Sequence, residues 1–415
     1  MNHSKLLLVA FFATVNIKPV KGQLKPGDIA PNAKVLDTDI MNEFNNGAAI
    51  VQKGNSEALI DITGNFIVPF NKYKFNFFER GAKGIYNGIF SLELSREALN
   101  AKGELIAKGL TLISRTPKDG RYRFITTRDG LLAINSDDQR FLVKGTNGII
   151  GLGGFSEGLV VYWTGGASKM KFGFKNLKDQ IVIQPAYDKV GLFSDGMAVV
   201  GCKNEFGEMK YGFINKEGQL VIPCMYTNIP SDFYCGRSLV YPKANTGFEY
   251  AYINKKGELA IKYTQEMYQK YGQLHDGFFN GYSFNDRFVM DTSGNVYSYE
   301  AFFTKFGVKN PGDKKLKLLY QIPRETWTEG QVLTYTRLDY NNRAGSTTGF
   351  IDVTTHKAIE GPFLQTQQFF FDPVSKLAYA EANLGKNSSG QQNIRKGYIN
   401  TQGVFVIVRG EDSKW

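Results

Sequence analysis

A short heptad recurs along this chain and sets what it can fold into. Gly212 to Gly218 reads GFINKEG, Ala251 to Gly257 reads AYINKKG and Gly397 to Gly403 reads GYINTQG. Looser copies begin at Ala58 (ALIDITG), Leu132 (LAINSDD), Gly173 (GFKNLKD), Phe288 (FVMDTSG) and Gly349 (GFIDVTT), with a poor one near Glu97 ending at Gly103. From Gly173 to Gly212 to Ala251 the step is 39 residues each time, and between Phe288 and Gly349 it stretches to 61. Self-similarity at such a period means an array of supersecondary units, here about eight divergent copies of roughly 40 residues.

Each heptad has a local explanation. Asn or Asp, two polar residues and then Gly is what a three-residue hairpin loop requires, a type I turn followed by a left-handed residue. Gly supplies that positive φ without a steric cost, and Asp179, which stands in its place in one copy, tolerates it better than most residues. A short apolar strand follows and often closes on proline: QLVIP at Gln219 to Pro223, QIVIQP at Gln180 to Pro185, NFIVP at Asn65 to Pro69. Proline has no N–H for a ladder, so it ends the strand. A tyrosine comes soon after, at Tyr73, Tyr187 and Tyr226, and then a second turn: FSEG at Phe155 to Gly158, FSDG at Phe193 to Gly196, FYCG at Phe233 to Gly236. A third strand runs on, as in Met197 to Val200, so each unit reads as a three-stranded meander.

Side chains alternate along a strand, so Tyr211 and Phe213 share a face, as do Phe172 with Phe174 and Tyr250 with Tyr252. Gly212 looks the other way, where its missing side chain lets a neighbouring backbone approach. A small meander cannot cover two apolar faces alone, and stacking on the next copy covers both. With Gly 45, Phe 32 and Tyr 22 in the chain, the class is all-β.

Taken together, the heptad, the V-I-P strand, the tyrosine and the F-S-[DE]-G turn resemble the bacterial WG-repeat family, over about Ala48 to Val408. The resemblance implies a β-repeat protein and carries no shared catalytic residue. The namesake Trp before Gly is replaced by Phe172, Tyr211 and Tyr250, and by Lys396 in the last copy.

The expected architecture is an elongated, solenoid-like tandem array of short antiparallel β-meanders and hairpins, capped at each end, with a closed β-propeller as the alternative. Residues 1–22 read as a signal peptide: an apolar run from Leu6 to Val15 between His3 and Lys5 and the small residues Val20 and Gly22. Residues 23–47 are a lead-in, 48–298 and 348–415 WG-like repeats, and 299–347 an insertion. Ten apolar residues are too few to span a bilayer, and no other stretch is long enough, so the mature chain is expected not to span a membrane. Cleavage removes three lysines and no acid, taking the formal charge from +11 to +8. That suits anionic partners mildly. Export argues against nucleic acid.

For chemistry the residues offer little. Glu157, Asp195 and Asp276 are a candidate carboxylate set for glycoside hydrolysis, which needs two acids about the bond. They share one position, before the turn Gly, where an acid serves the turn itself. Cys235 occupies that position too. His275 and His356, the mature histidines, suggest neither a triad nor a zinc site. Lys144 and the glycine-rich run from Gly145 to Gly154 lack the Gly-Lys-Ser/Thr ending of a phosphate loop. Asn387 to Ser389 is formally a glycosylation acceptor. Among the cysteines, a Cys224 to Cys235 bridge fits by spacing, and buried fillers are the preferred reading. No catalytic, cofactor-binding or metal residue is therefore assigned. The inserted segment supplies the candidate contacts, Lys314, Lys315, Lys317, Tyr320 and Trp327, because insertions into repeats often carry recognition. The expected function is an exported, non-catalytic binding or scaffolding module with a protein or glycan partner at the envelope. The alternative is a carbohydrate-active enzyme, or a glycan- or cell-wall-binding protein, using the turn acids.

Overall fold

The computed structural model describes residues 24–410 apart from several breaks, the longest at 76–87, 108–121, 145–154 and 319–331. Residues 1–22, read above as a signal peptide, lie outside the described residues. The described residues form seven sheets of three or four strands and one of eight strands. The eight-stranded sheet is two units joined where Phe363 faces Ala382. Nine successive β units result, at residues 40–68, 89–107, 122–143, 155–187, 189–226, 238–264, 282–298, 314–364 and 378–409.

The heptads form the expected turns. At Asn215 the backbone N–H of Gly218 donates to the Asn215 carbonyl at 3.0 Å, Gly218 has φ 80°, and the Asn215 side chain accepts from Gln219 N–H at 2.9 Å. Asp179 adopts φ 61° in the same role, and in the eighth unit the positive φ, 55°, falls one residue later, at His356. The close approach expected at Gly212 is present. A Cβ there would collide with the carbonyl oxygen of Ile222, and one at Gly173 or Gly397 with that of Ile183 or Ile407. The ladder slips at this point, between Tyr211 and Phe213.

The phase of the units differs from the sequence reading. Met197–Lys203 does not complete the sheet that contains Gly173. It pairs with Met209–Asn215 through a hairpin whose turn, Asn204 to Gly207, repeats the Asx-to-Gly chemistry. The sequence period therefore straddles two sheets. A repeat has no intrinsic start, so periodicity alone leaves the sheet boundaries open.

Apolar clusters fill the junctions between units, because neighbouring residues on one strand face opposite ways. In the fifth unit Val199 and Phe213 join Phe233 and Ala251 of the sixth, whereas Val200 and Ile214 join Phe174 and Ile183 of the fourth. Comparable clusters occupy each further junction. The last one closes the circle: Phe44, Ala49 and Ile60 of the first unit pack on Tyr398 and Ile407 of the ninth. The array is thus a ring, the closed form of the two expected architectures, and its ends cap each other.

The 23–47 lead-in provides the closure. Ile29–Leu36 pairs in parallel with Phe405–Arg409 and forms the edge of that sheet. Pro31 falls where the register breaks between Ile29 and Lys34, a position an edge strand tolerates. Asp372, fully buried, accepts from Asn46 N–H at 2.5 Å and Gly47 N–H at 3.0 Å. Arg395 donates to the Gly27 carbonyl at 2.6 Å.

The 299–347 segment is built into the ring. Its helix, Tyr299–Lys305, is capped by Ser298, and it buries Phe302 and Phe303 against Leu316, Leu318, Leu333 and Tyr335. The pairing of cysteines also departs from expectation: Cys202 and Cys224 form a disulfide, with Cα atoms 6.1 Å apart, and Cys235 takes no part in one. Spacing in sequence could not show that Cys202 lies beside Cys224 once the fifth sheet has formed.

Candidate functional site

The turn acids come first. Glu157, Asp195 and Cys235 have φ of 51°, 56° and 51°, a conformation that costs a non-glycine residue energy unless something holds it. Each is held by the next unit. Gly196 N–H donates to Glu157 at 3.1 Å, Gly236 N–H to Asp195 at 2.5 Å, and Gly281 N–H to the Cys235 sulfur at 3.3 Å. Lys216 pairs with Glu157 at 3.1 Å and Lys255 with Asp195 at 2.6 Å. Beside them the Ser156 and Ser194 hydroxyls donate to the carbonyls of Phe193 and Phe233, at 2.6 and 2.8 Å. Both carboxylates are engaged in joining successive turns. Asp276 and His275 lie outside the described residues.

The other motifs resolve in the same way. The Asn387 side chain accepts from Ser389 and Gln391 N–H, which makes the acceptor motif another hairpin turn. His356 stacks on Phe306, with ring centroids 5.9 Å apart. The glycine-rich run 145–154 is outside the described residues, and Lys144 donates its N–H to Asp179 at 3.0 Å. Among the described residues no three His, Cys, Asp or Glu side chains group to hold a metal, and no helix is long and apolar enough to cross a membrane.

Of the proposed contact residues, Lys314, Lys315 and Lys317 fall on the strand Lys314–Leu318, which pairs with Leu333–Asp339 and is the leading edge of the eighth unit. Lysines there also guard an edge against pairing with foreign strands. Lys317 is half-buried, and Tyr320 and Trp327 lie outside the described residues.

A different set of residues stands out on the surface. The last strand of several units begins with an apolar side chain that the fold leaves in water: Phe66 at 49% exposure, Leu105 at 44%, Ile181 at 49%, Leu220 at 47% and Leu259 at 45%. These occupy one position, two residues after the turn Gly or Asp179. Their strands are the free trailing edges of their sheets. The equivalent residue of the ninth unit, Phe405, is fully buried, because Ile29–Leu36 lies along that edge and Ile29 and Val35 pack beside it. The signal was present in QLVIP and QIVIQP, where three apolar residues follow one another although only Ile222 and Ile183 turn inward. Alternation would bury one residue in two, so the surplus apolar residues faced solvent or a partner.

Comparison with known proteins gives the following. The repeat model described as "WG containing repeat" matches residues 172–205 and 211–241, which begin at Phe172 and Tyr211 and each run from the middle of one sheet into the next. No curated protein matches the chain. Among solved structures, an uncharacterized protein of Listeria monocytogenes EGD-e is 10% identical, with 64% of this chain and 97% of that one covered and a TM-score of 0.29. A prolyl endopeptidase is 12% identical over 91% of this chain and 54% of its own, with a TM-score of 0.33. Hsv2 of Kluyveromyces lactis is 10% identical over 87% and 99%, with a TM-score of 0.27. The ring rests on this chain's own strand pairing and not on these loose likenesses. By its sequence motif and by the matches at 172–205 and 211–241, the chain is a WG-repeat-containing protein.

Proposed function

We propose that this protein is an exported, non-catalytic binding or scaffolding module, working at the cell envelope or outside the cell on a protein or glycan partner. The observation that carries this reading is the recurrent exposed apolar residue on the trailing edges, at Phe66, Leu105, Ile181, Leu220 and Leu259. Repetition of an apolar side chain at a solvent-facing position costs solubility and contributes nothing to the junction cores, so a partner is its natural use. The turn acids that would serve a hydrolase already bind the next unit's backbone and a lysine each. Support for export comes from the signal-like N-terminus and from the Cys202–Cys224 pair, which suits an oxidising compartment. Lys314, Lys315 and Lys317 would add charge for an acidic glycan on the eighth unit.

The test is a pull-down from envelope extract with the chain lacking residues 1–22, beside a variant carrying Ile181→Asp, Leu220→Asp and Leu259→Asp. A partner that is recovered by the first and lost by the second supports the proposal. Turnover of a polysaccharide by the purified chain, abolished by Glu157→Gln or Asp195→Asn, would overturn it. Deleting 299–347 is unsuitable, because Phe302, Phe303 and Tyr335 would leave the core.

A further inference from the structure

The ninth unit shows how a trailing edge of this protein receives a strand. Along Phe405–Arg409 the partner strand runs parallel, Phe405 N–H donates to the Asp28 carbonyl at 2.8 Å, and Gly27 N–H donates to Gly403 at 2.8 Å. The added strand takes Phe405 from the half-exposed state of its equivalents to full burial.

The other edges differ in whether they could do the same. Counting five residues from the turn Gly, the position of Val408 is Pro69 in the first unit and Pro223 in the fifth, and in the fourth Pro185 follows one residue later. A proline has no N–H to offer an incoming strand, and edge prolines are a standard guard against such pairing. The last strand of the seventh unit, Val296–Ser298, has only three residues. The sixth unit has neither guard. Leu259–Thr264 spans six residues without proline, ends its sheet, and exposes Leu259, Ala260 and Lys262 while Ile261 and Tyr263 face inward. Its neighbour Phe248–Ile253 is paired on its other side with Ser238–Val240, as Gln392–Ile399 is with Ala378–Lys386, so Leu259–Thr264 stands at the edge of its sheet where Phe405–Arg409 would stand without Ile29–Leu36.

We propose that the free edge of Leu259–Thr264 accepts an extended apolar strand from a partner protein, laid parallel to it as Ile29–Leu36 lies on Phe405–Arg409. Strand addition of this kind draws affinity from main-chain hydrogen bonds and specificity from alternate side chains. The N–H of Leu259, equivalent to that of Phe405, donates to the incoming backbone, and the Leu259 side chain is covered as Phe405 is. This deepens the binding reading above by naming the edge and the form of its ligand.

The probe is a fluorescent peptide of residues 26–38 of this chain, whose fit to such an edge the ninth unit displays, titrated into the whole mature chain by fluorescence anisotropy. Two variants test the edge. Leu259→Asp places a charge at an exposed position, and Lys262→Pro gives the sixth unit the proline that the first and fifth carry in the same place. Saturable binding that falls tenfold or more in both, with unchanged circular dichroism and melting temperature, and that persists in Leu220→Asp, is the expected result. Absence of binding, binding indifferent to both variants, or equal loss in Leu220→Asp overturns the proposal. An envelope partner captured equally by the Lys262→Pro chain leaves the binding reading standing and removes this one.

Discussion

The junction between the fourth and fifth units and the seam between the ninth and first are made of the same parts. In the first, Phe174 meets Phe193 edge-on at 4.9 Å, and the turn Gly218 sits against Ile183. At the seam, Tyr398 meets Phe44 at 4.6 Å, and Gly64 sits near Ile407. The carboxylate that accepts turn N–H groups is Glu157 in one and Asp372 in the other. The difference lies in the chain. Glu157 reaches a glycine 39 residues on, whereas Asp372 reaches one 325 residues back. A repeat that encodes only neighbour contacts thus also encodes closure, provided one extra strand, Ile29–Leu36, is supplied to the last sheet.

If the seam is an ordinary junction, equivalent damage must cost the same on both sides. Truncating a fully buried aromatic removes about 3–5 kcal/mol. Phe174→Ala, at the junction of the fourth and fifth units, and Tyr398→Ala, at the seam, are expected to lower stability in chemical denaturation by similar amounts within that range. A Tyr398→Ala cost below about 1 kcal/mol, within the scatter of surface changes, would show a seam that is not packed.

Backbone proximity sharpens the comparison at the next level. Gly212→Ala and Gly397→Ala both drive a methyl into a carbonyl oxygen, at Ile222 and Ile407, and should each cost about 1–3 kcal/mol in the same assay, the usual range for overpacking. The sixth unit carries Ala251 there, and its ladder has no slip between Tyr250 and Tyr252, where the fifth unit slips beside Gly212; that slip falls instead between Phe248 and Tyr250. Ala251→Gly should therefore bring no relief and cost about 1–2 kcal/mol, the intrinsic penalty of glycine in a strand plus the loss of one buried methyl.

These contrasts also show what the sequence could tell. The turns at Asn215 and Asn254, the left-handed Asp179 and the close approach at Gly212 are local and were legible from residue types alone. The structural duty of Glu157 and Asp195 was half legible: a turn position was readable, but the glycine and lysine that engage each acid lie in the next unit. Closure was not legible. Ile29–Leu36 contains Pro31, resembles no repeat copy, and makes its pairing with residues at the far end of the chain. A long step between heptads cannot distinguish a projection from a unit with extra core, which is what Phe302, Phe303, Leu316 and Tyr335 form.

The smallest expected effect concerns pH. Burial acts against the carboxylates of Asp61 and Asp291, but hydrogen bonds outweigh it and hold both below the usual aspartate range. They come from Thr63 and Asn65 in one case and from Asn295, Tyr297 and Ser293 in the other. A carboxyl depressed in the folded state contributes stability that is present above the unfolded value, about 4, and is lost as pH falls through the lower folded value. Units whose heptad uses Asn, as at Asn215 and Asn254, have no such dependence at that turn. The double variant Asp61→Asn, Asp291→Asn should flatten the decline of melting temperature below about pH 4 while changing little at pH 7. An unchanged acid limb would contradict this assignment.

Closure itself is open to direct measurement. Ile62 and Val374 are exposed residues of the first unit and of the approach to the ninth, and both side chains reach within 4.0 Å of the space beside Gly47. Spin labels at Ile62→Cys and Val374→Cys, in a chain whose Cys235 thiol is removed by Cys235→Ser, report the distance between the two ends by electron paramagnetic resonance. A closed ring predicts a separation below roughly 20 Å, the width of two packed sheets. An open array with sheets spaced about 10 Å apart would put the first and ninth units roughly 80 Å from each other, and a distance of that order would contradict the ring.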